Sequence, residues 1–329
     1  MSHPTPPSTP TQALDLISAE MAALDVLISQ RLSTSVALVG DVAQYIISAG
    51  GKRLRPQLLL LCCGALGYHG AARHTMAAVI EFIHTATLLH DDVVDDSTLR
   101  RGRPTANARF GNPASVLIGD FLYSRAFQMM VEVQDMRIME VLANATNVIA
   151  EGEVLQLMHM HNADLTEADY LQVIRSKTSK LFEASTQAAA ILAQAPPALE
   201  AACVTCGQAL GTAFQVIDDV LDYAGDAALL GKNLGDDLRE GKCTLPLIAA
   251  MQSANAADAA TIRRAIEEGN TDLLETVADI VKRTGALDMA MRSAQAEIAR
   301  ATEAASQLPP GPYLDAIIQL AQESLRRST

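Results

Sequence analysis

The sequence predicts an all-α fold. Ala and Leu recur along the 329 residues, whereas aromatic residues make up only 4% and Trp is absent, a composition that favours helix over sheet. Apolar residues repeat at helical spacing, and the sequence shows neither an alternating strand pattern nor a repeat of solenoid length. The chain is therefore expected to form long helices joined by short loops.

Charge and cysteine content restrict the class of function. The net charge of −13 argues against a general nucleic-acid binder, which needs a basic face. Five cysteines, without an N-terminal basic and apolar signal, indicate a reducing cytoplasm. The longest apolar run, Leu58 to Leu66, is too short to cross a bilayer. The acidic balance fits a soluble protein, or one that gathers divalent cations locally.

Helix signals follow one another along the chain. Residues 1–12 contain four prolines and are expected to form a disordered tail. The GNP sequence at 111–113 begins a long helix, since proline suits the first turn. The APP sequence at 195–197 and the LPPGP sequence at 308–312 interrupt two further helical patterns. The first helix is expected from an apolar face at Leu14, Ile17, Met21, Leu24 and Ile28.

Two acidic motifs stand out against this apolar background. The stretch LLHDDVVDDSTLRRGR at 88–103 and the stretch FQVIDDVLDY at 214–223 share the spacing DDxxD. On a helix, the first and last aspartates of each motif lie on one face. A single copy is more often a solvated acidic turn, but two copies in apolar helices indicate one bundle with a site between them. The aspartates are Asp91, Asp92 and Asp95 in the first motif, and Asp218, Asp219 and Asp222 in the second.

Clustered carboxylates with few imidazoles favour a hard cation, above all Mg²⁺ held together with substrate phosphates. Basic residues near the motifs supply direct anion contacts, although each one alone is also explained as a surface charge. The GGK sequence at 50–52 is not a P-loop, because the GxxxxGK[ST] pattern is missing. We therefore expect two anionic groups, one bound through metal and one bound directly. The basic candidates are Lys52, Arg53, Arg55, Arg100, Arg101, Lys177, Lys180, Lys232 and Lys242.

These motifs together resemble the trans-type polyprenyl diphosphate synthases. The resemblance rests on GGKRLRP at 50–56, DDVVD followed by RRGRPTAN, SKT at 176–178, FQVIDDVLDY, and GKNLGDDLREGKCTLP at 231–246, in that order. It extends from about residue 15 to the C-terminus and is strongest for the long-chain bacterial members. It implies one catalytic domain at 13–329, a large helical bundle of isoprenoid synthase type around a deep central cavity, and a homodimer with at most peripheral membrane contact during product release.

The resemblance also implies a reaction. An allylic diphosphate, farnesyl diphosphate above all, would ionise with the help of Mg²⁺ (or Mn²⁺) and then condense with successive isopentenyl diphosphates. Loss of a proton to the released diphosphate would complete each cycle, giving octaprenyl, nonaprenyl or decaprenyl diphosphate for quinone side chains.

Each implied role falls on matching positions of this sequence. The implied catalytic residues are Asp91, Asp95, Asp218, Lys177 and Lys232. Metal contacts are implied for Asp91, Asp92, Asp95, Asp218, Asp219 and Asp222, of which Asp92, Asp219 and Asp222 are alternatively indirect supports. The allylic diphosphate would contact Arg100, Lys177, Thr178, Gln215 and Lys232. Isopentenyl diphosphate would contact Lys52, Arg55, His84 and Arg101.

Product length is predicted from the helix that carries the first motif. Ala86 and Thr87 lie about one turn before Asp91 and are small, so a growing chain is expected to pass them towards Met129 and Met130. The alternative is that the two small residues only permit close helix packing.

Two other functions remain open from the sequence. A terpene cyclase would share the ionising motif but would not need Lys52 and Arg55. A non-catalytic subunit of a heteromeric prenyl synthase would lack an intact DDxxD, and both motifs are intact here. His84 has its own alternative, an ordinary core histidine.

Overall fold

The computed structural model describes residues 15–48, 50–100, 102–224 and 235–326, and these residues are mostly helical. The helices are α1 (Ser18–Arg31), α2 (Ala37–Ser48), α3 (Leu54–Ala65), α4 (Ala72–Val94), α5 (Ala106–Phe110), α6 (Asn112–Val133), α7 (Met136–His159), α8 (Glu167–Ile174), α9 (Lys180–Leu192), α10 (Pro197–Ala224), α11 (Asp236–Arg239), α12 (Leu245–Ser253), α13 (Ala256–Glu268), α14 (Leu274–Arg283), α15 (Ala286–Ala305) and α16 (Pro312–Arg326). A π turn (Arg175–Ser179) joins α8 to α9, and a 3₁₀ turn (Thr271–Leu273) precedes α14.

The predicted helix boundaries are confirmed where the structure describes them. Pro113 lies in the first turn of α6, α9 ends before the prolines at 195–197, and α16 begins at Pro312. Of the predicted apolar face, Leu24 and Ile28 of α1 and Ile17 just before it are buried, and Met21 is half-buried. Leu14 lies outside the described residues. The tail at 1–12 lies outside the described residues. No described helix is both long enough and apolar enough to cross a membrane.

One feature departs from the strand-free prediction. Leu99–Arg100 (β1) and Arg103–Pro104 (β2) form a short antiparallel ribbon. Gly102 has a φ of 72°, which glycine adopts without strain and which permits the tight reversal between the strands. Two-residue strands are too short to produce an alternating apolar pattern, so the sequence carries no sign of them.

The long helix α10 organises the core. It packs along α15 on one side and along α9 on the other. Its N-terminal half belongs to a hydrophobic cluster with α3, α4 and α9, and its C-terminal half belongs to a second cluster with α12, α14 and α15. Gly211 permits the close approach to α9, because a Cβ at that position would lie 2.7 Å from Ser179 Cα. This approach presses the π turn against α10.

The end of α4 is fixed by the segment that follows it. Asp95 ends the helix, and Asp96 has a positive φ of 49°. Asn107 Nδ2 donates hydrogen bonds to Asp92 O at 3.0 Å and Ser97 O at 3.1 Å. The ribbon is therefore tied to α4, and Arg100 is held beside the first aspartate motif.

Candidate active site

The first aspartate motif presents two faces at the C-terminal end of α4. Asp92 is fully buried, and its Oδ1 accepts hydrogen bonds from Arg100 Nη2 at 2.7 Å and Arg100 Nε at 3.0 Å. Asp92 Oδ2 is buried without a hydrogen-bond partner among the described residues. Burial lowers the pKa of Arg100, but the hydrogen-bonded Asp92 more than reverses this effect. Asp92 therefore holds the guanidinium of Arg100 in place.

Asp91 shares a lysine with a glutamate. Lys177 Nζ lies 3.8 Å from Asp91 Oδ2 and donates a 2.6 Å hydrogen bond to Glu153 Oε2 on α7. Burial raises the pKa of Asp91, Lys177 opposes this rise, and Asp95 adds to it. Burial also raises the pKa of Glu153 to about 7, against the opposing effect of Lys177. The ammonium thus lies between two carboxylates whose charged forms are disfavoured by burial.

Asp95 shows the same arrangement with a second lysine. Lys242 Nζ lies 3.2 Å from Asp95 Oδ2 and 2.5 Å from Glu240 Oε2. Burial alone lowers the pKa of Lys242, but Asp95 and Glu240 together raise it above its usual range. Lys242 is therefore charged at neutral pH and connects the end of α4 with the segment after α11.

Lys177 and Thr178 lie in the π turn between α8 and α9. Wide turns of this kind are frequent at functional sites. Gly152 of α7 permits close contact here, because a Cβ at that position would lie 2.8 Å from Ser176 Cβ and 2.9 Å from Lys177 N. The turn is therefore pressed against α7, next to Glu153.

A chain of hydrogen bonds ties the second motif to the π turn. Thr178 Oγ1 donates to Gln215 Oε1 at 2.9 Å, and Gln215 Nε2 donates to Asp219 Oδ1 at 2.8 Å. Tyr170 OH donates to the other oxygen of Asp219 at 2.6 Å. Burial raises the pKa of Asp219 well above its usual value, and Asp237 adds to the rise. Both oxygens of Asp219 have partners, so this residue orients Gln215 and, through it, Thr178.

The remaining aspartates of the second motif differ in exposure. Asp222 is buried, and its Oδ2 accepts a hydrogen bond from Asp237 N at 3.4 Å. Asp237 O in turn accepts from Lys242 N at 2.8 Å. Asp218 is half-buried and is thus the most accessible carboxylate of this motif. The contacts from Asp222 through Lys242 to Asp95 bring the two motifs together at one site.

One cavity collects most of the residues predicted to hold the allylic diphosphate. It has a volume of about 110 Å³. Its polar lining includes Lys177, Thr178, Gln215, Asp219, Asp237 and Lys242. Arg100 lines another cavity, of about 40 Å³, together with Asp92 and His84.

The residues predicted to bind isopentenyl diphosphate are only partly brought together. Lys52 is exposed, and His84 is half-buried beside Arg100. The Arg55 guanidinium carbon lies 4.3 Å from the centre of the Phe182 ring, and Arg55 Nε is buried without a hydrogen-bond partner among the described residues. Burial lowers the pKa of Arg55 to about 10, so it is protonated at neutral pH.

The donor set fits a hard divalent cation that is completed by a ligand. In the described ranges, no three His, Cys, Asp or Glu residues converge closely enough to hold a metal by themselves. Magnesium is commonly held by one or two carboxylates together with substrate phosphates, so a site of this kind does not need three protein ligands. Asp91 and Asp95 supply carboxylate oxygens on one helix face, and each lies within 4 Å of a lysine ammonium.

Sequence reasoning and structure differ on several residues. Arg101 and Lys232 have predicted roles but lie outside the described residues. Glu153 and Tyr170 had no predicted role, because a lone acid or a lone tyrosine in an apolar helix carries no motif. The sequence presents Lys242 as one basic residue of the last motif, and its contact with Asp95 follows only from the fold.

Comparisons with known proteins agree with these motifs. A family model described as polyprenyl synthetase matches residues 36–283. The chain is 50% identical over 314 residues to the octaprenyl diphosphate synthase of Escherichia coli (strain K12), covering 95% of this chain and 97% of that protein. It is 48% identical over 314 residues to an all-trans-nonaprenyl-diphosphate synthase (geranyl-diphosphate specific) of Rhodobacter capsulatus. This match covers 94% of this chain and 96% of that protein. A crystal structure of a polyprenyl synthase from Caulobacter crescentus CB15, complexed with calcium and isoprenyl diphosphate, gives a TM-score of 0.94 at 41% identity and covers 99% of this chain and 100% of that chain.

The Asp92–Arg100 pair leads to a stability prediction. Arg100→Met leaves the buried Asp92 carboxylate without its cation, and we expect a loss of about 1–3 kcal/mol in the free energy of unfolding. Adding Asp92→Asn to Arg100→Met should restore much of this loss, because an amide costs less to bury than an unpaired charge. Urea unfolding of the two variants and the parent measures both effects. Equal stability of Arg100→Met and the parent would show that the ion pair does not hold this segment.

Proposed function

The chain belongs to the polyprenyl synthetase family, and from this premise we propose that it is a long-chain trans-prenyltransferase. It would extend an allylic diphosphate with successive isopentenyl diphosphates to an octaprenyl, nonaprenyl or decaprenyl diphosphate. The related synthases of Escherichia coli and Rhodobacter capsulatus are named for long products of this class. The two alternatives, a terpene cyclase and a non-catalytic subunit, find no support among these relatives.

One observation carries the proposal. The cavity lined by Lys177, Thr178 and Gln215 includes Asp219 of the second motif, and its two lysines, Lys177 and Lys242, form ion pairs with Asp91 and Asp95 of the first motif. A diphosphate in this cavity would have ammonium and amide donors on one side and metal-binding carboxylates on the other. Such an arrangement suits the departure of an anionic leaving group, because charge develops on the diphosphate oxygens as the carbon–oxygen bond breaks.

We propose that Asp91, Asp95 and Asp218 bind Mg²⁺ or Mn²⁺. The bound cation would neutralise the leaving diphosphate. The solvent exposure of these carboxylates supports the proposal. Asp91 and Asp95 are partly accessible on one face of α4, and Asp218 is the accessible member of its motif. Asp92, Asp219 and Asp222 are buried and already contact protein donors. These three are proposed to support the site indirectly.

The allylic diphosphate is proposed to contact Arg100, Lys177, Thr178, Gln215 and Lys232. The ammonium of Lys177 and the guanidinium of Arg100 would hold its oxygens, while Gln215 fixes the direction of the Thr178 hydroxyl. Support for Lys177, Thr178 and Gln215 is their shared cavity and the hydrogen-bond chain from Thr178 to Asp219. Support for Arg100 is its position beside the first motif, where Asp92 holds its guanidinium. Lys232 is included by resemblance alone.

Isopentenyl diphosphate is proposed to bind without metal at Lys52, Arg55, His84 and Arg101. The buried Nε of Arg55 lacks a hydrogen-bond partner among the described residues, and an anion would supply one. The double bond of isopentenyl diphosphate would attack the allylic carbon, and the released diphosphate would accept the proton. Buried apolar side chains near the site, such as Phe182 and Leu89, would keep water from the cation.

Chain length is proposed to depend on the region below Asp91. Ala86, Met129 and Met130 are fully buried in one hydrophobic cluster. Thr87 is half-buried, and its hydroxyl donates to His84 O at 2.8 Å. A small residue and two flexible thioether side chains can make way for a growing prenyl chain more readily than an aromatic ring.

A homodimer is proposed to form through α6 and α7. These consecutive helices expose large apolar side chains, among them Leu117 at 64%, Val131 at 62%, Val154 at 58% and Met158 at 74%. Several such residues on neighbouring helices suit an interface between two identical copies.

Metal dependence and activity are tested together. Purified protein with Mg²⁺, farnesyl diphosphate and isopentenyl diphosphate should form long prenyl diphosphates, and excess EDTA should stop the reaction. Asp91→Ala should lower kcat on the order of 10²-fold or more, because it removes a contact to the leaving group. Asp41→Asn, at an exposed position on α2, serves as the control with unchanged kcat. Full turnover in EDTA or by Asp91→Ala would contradict the proposal.

A larger side chain at position 86 tests the proposed control of product length. Ala86→Phe should shorten the products while the first condensation continues, because a ring would block the path of the chain. Ala86→Ser adds little volume and should leave product length unchanged. Chromatography of the dephosphorylated products measures both variants. An active Ala86→Phe enzyme with products of parental length would leave Ala86 as a packing residue only.

Charged substitutions in the exposed apolar side chains of α6 and α7 test the proposed dimer interface. Leu117→Glu and Met158→Glu should each shift the protein towards monomer in sedimentation equilibrium, because a carboxylate is costly to bury between copies. Leu38→Glu introduces the same charge at another exposed apolar position, on α2, and should leave the mass unchanged. A dimeric mass for all three variants would place the interface elsewhere.

A further inference from the structure

Glu153 and Glu240 are carboxylates without an assigned role, and each is the nearer acidic partner of a lysine in the site. Lys177 Nζ is 2.6 Å from Glu153 but 3.8 Å from Asp91. Lys242 Nζ is 2.5 Å from Glu240 but 3.2 Å from Asp95. The same geometry thus occurs twice, at both ends of the first aspartate motif.

This repetition has an electrostatic consequence. A lysine with no other acidic partner would pair directly with the aspartate, and its ammonium would then compete with a divalent cation for the same carboxylate oxygens. Glu153 draws the Lys177 ammonium towards itself, so that Asp91 lies beyond hydrogen-bond distance of it, whereas Lys242 bonds both Glu240 and Asp95. The glutamates thus reduce the pairing of both lysines with the aspartates. The ammonium groups stay between protein carboxylates and the cavity, where a diphosphate would meet them.

The backbone around Glu153 supports a specific placement. Gly152 has no side chain, which allows the π turn to lie against α7 so that Lys177 reaches Glu153. Glu151, two residues earlier, points to solvent and accepts a hydrogen bond from Asn147 Nδ2 at 2.8 Å. Only the second glutamate of the EGE sequence therefore faces the site.

From these contacts we infer that Glu153 and Glu240 are positioning residues. Glu153 keeps the Lys177 ammonium beyond hydrogen-bond distance of Asp91, and Glu240 is the nearer of the two carboxylates that share the Lys242 ammonium. The two glutamates thereby keep the aspartates of the first motif open to the divalent cation and direct the ammonium groups to the leaving diphosphate. This inference rests on the proposed function and adds two residues to the same site.

The test uses Glu153→Gln, which removes the charge and keeps the shape. Lys177 should then move onto Asp91, so the Mg²⁺ concentration for half-maximal activity and the KM for the allylic diphosphate should each rise roughly tenfold. The KM for isopentenyl diphosphate should stay within about twofold, since its contacts lie elsewhere. Calorimetric titration with inorganic diphosphate and Mg²⁺ should show the same loss of affinity without any turnover.

Matched variants separate positioning from a general structural effect. Glu151→Gln removes the exposed neighbouring charge and should behave as the parent, whereas Glu153→Asp keeps the charge and should recover part of the Mg²⁺ response. In a Lys177→Met background, Glu153→Gln should cause no further change in diphosphate affinity, because Glu153 acts through Lys177. Glu240→Gln repeats the test at Lys242 if Glu153→Gln does not fold.

The possible results of these measurements distinguish a positioning role of Glu153 from a purely structural one. Parental Mg²⁺ dependence and parental diphosphate affinity of Glu153→Gln would overturn the inference, as would an equal rise of both KM values with a lowered melting temperature. An additive loss in the Lys177→Met background would also overturn it. If the parent protein forms no prenyl product at all, the proposed function fails, while the calorimetric comparison still decides the role of Glu153.

Discussion

Carboxylates of α4 and α10 are crowded around a cleft with little solvent, where their mutual repulsion is stronger than in water. Burial raises the pKa of Asp91, Glu153 and Asp219, so the charged forms persist only with nearby cations or hydrogen-bond donors. Lys177 and Lys242 supply part of this compensation. A divalent cation would supply the rest, and an anionic diphosphate would then bind to that cation and to the two lysines.

Helix packing determines which lysine reaches which carboxylate. Gly211 of α10 lies close to Ser179, and Gly152 of α7 lies close to Lys177, so the π turn is held between two helices by contacts that only glycine permits. The wide turn presents Lys177 and Thr178 at its centre. A rigid turn of this kind fixes the ammonium and hydroxyl groups before any ligand binds, and such preorganisation limits the reorganisation needed when charge develops.

Identical spacing does not give the aspartates identical roles. Asp91 and Asp95 lie on the accessible face of α4, whereas Asp92 is buried one position away and pairs with Arg100. In α10, Asp219 bonds Tyr170 and Gln215, and Asp222 accepts from the backbone of Asp237. The buried members of both motifs accept hydrogen bonds from protein donors, and the accessible members are the ones proposed to bind ligands. Burial, which depends on the neighbouring helices, separates the two groups.

Local periodicity and short motifs predict the helical class, the helix breaks at the prolines, the acidic motifs and most candidates for ligand binding. The sequence also predicts the family through five motifs in a fixed order. Only the tertiary structure decided that Glu153 meets Lys177, 24 residues away, and that Lys242 meets Asp95, 147 residues away. Contacts of this range follow from helix packing and leave no periodic signal, so the two glutamates could not be predicted before the fold was known. For Asp92, Asp219 and Asp222 the sequence left direct and indirect roles open, and the fold adds that all three are buried.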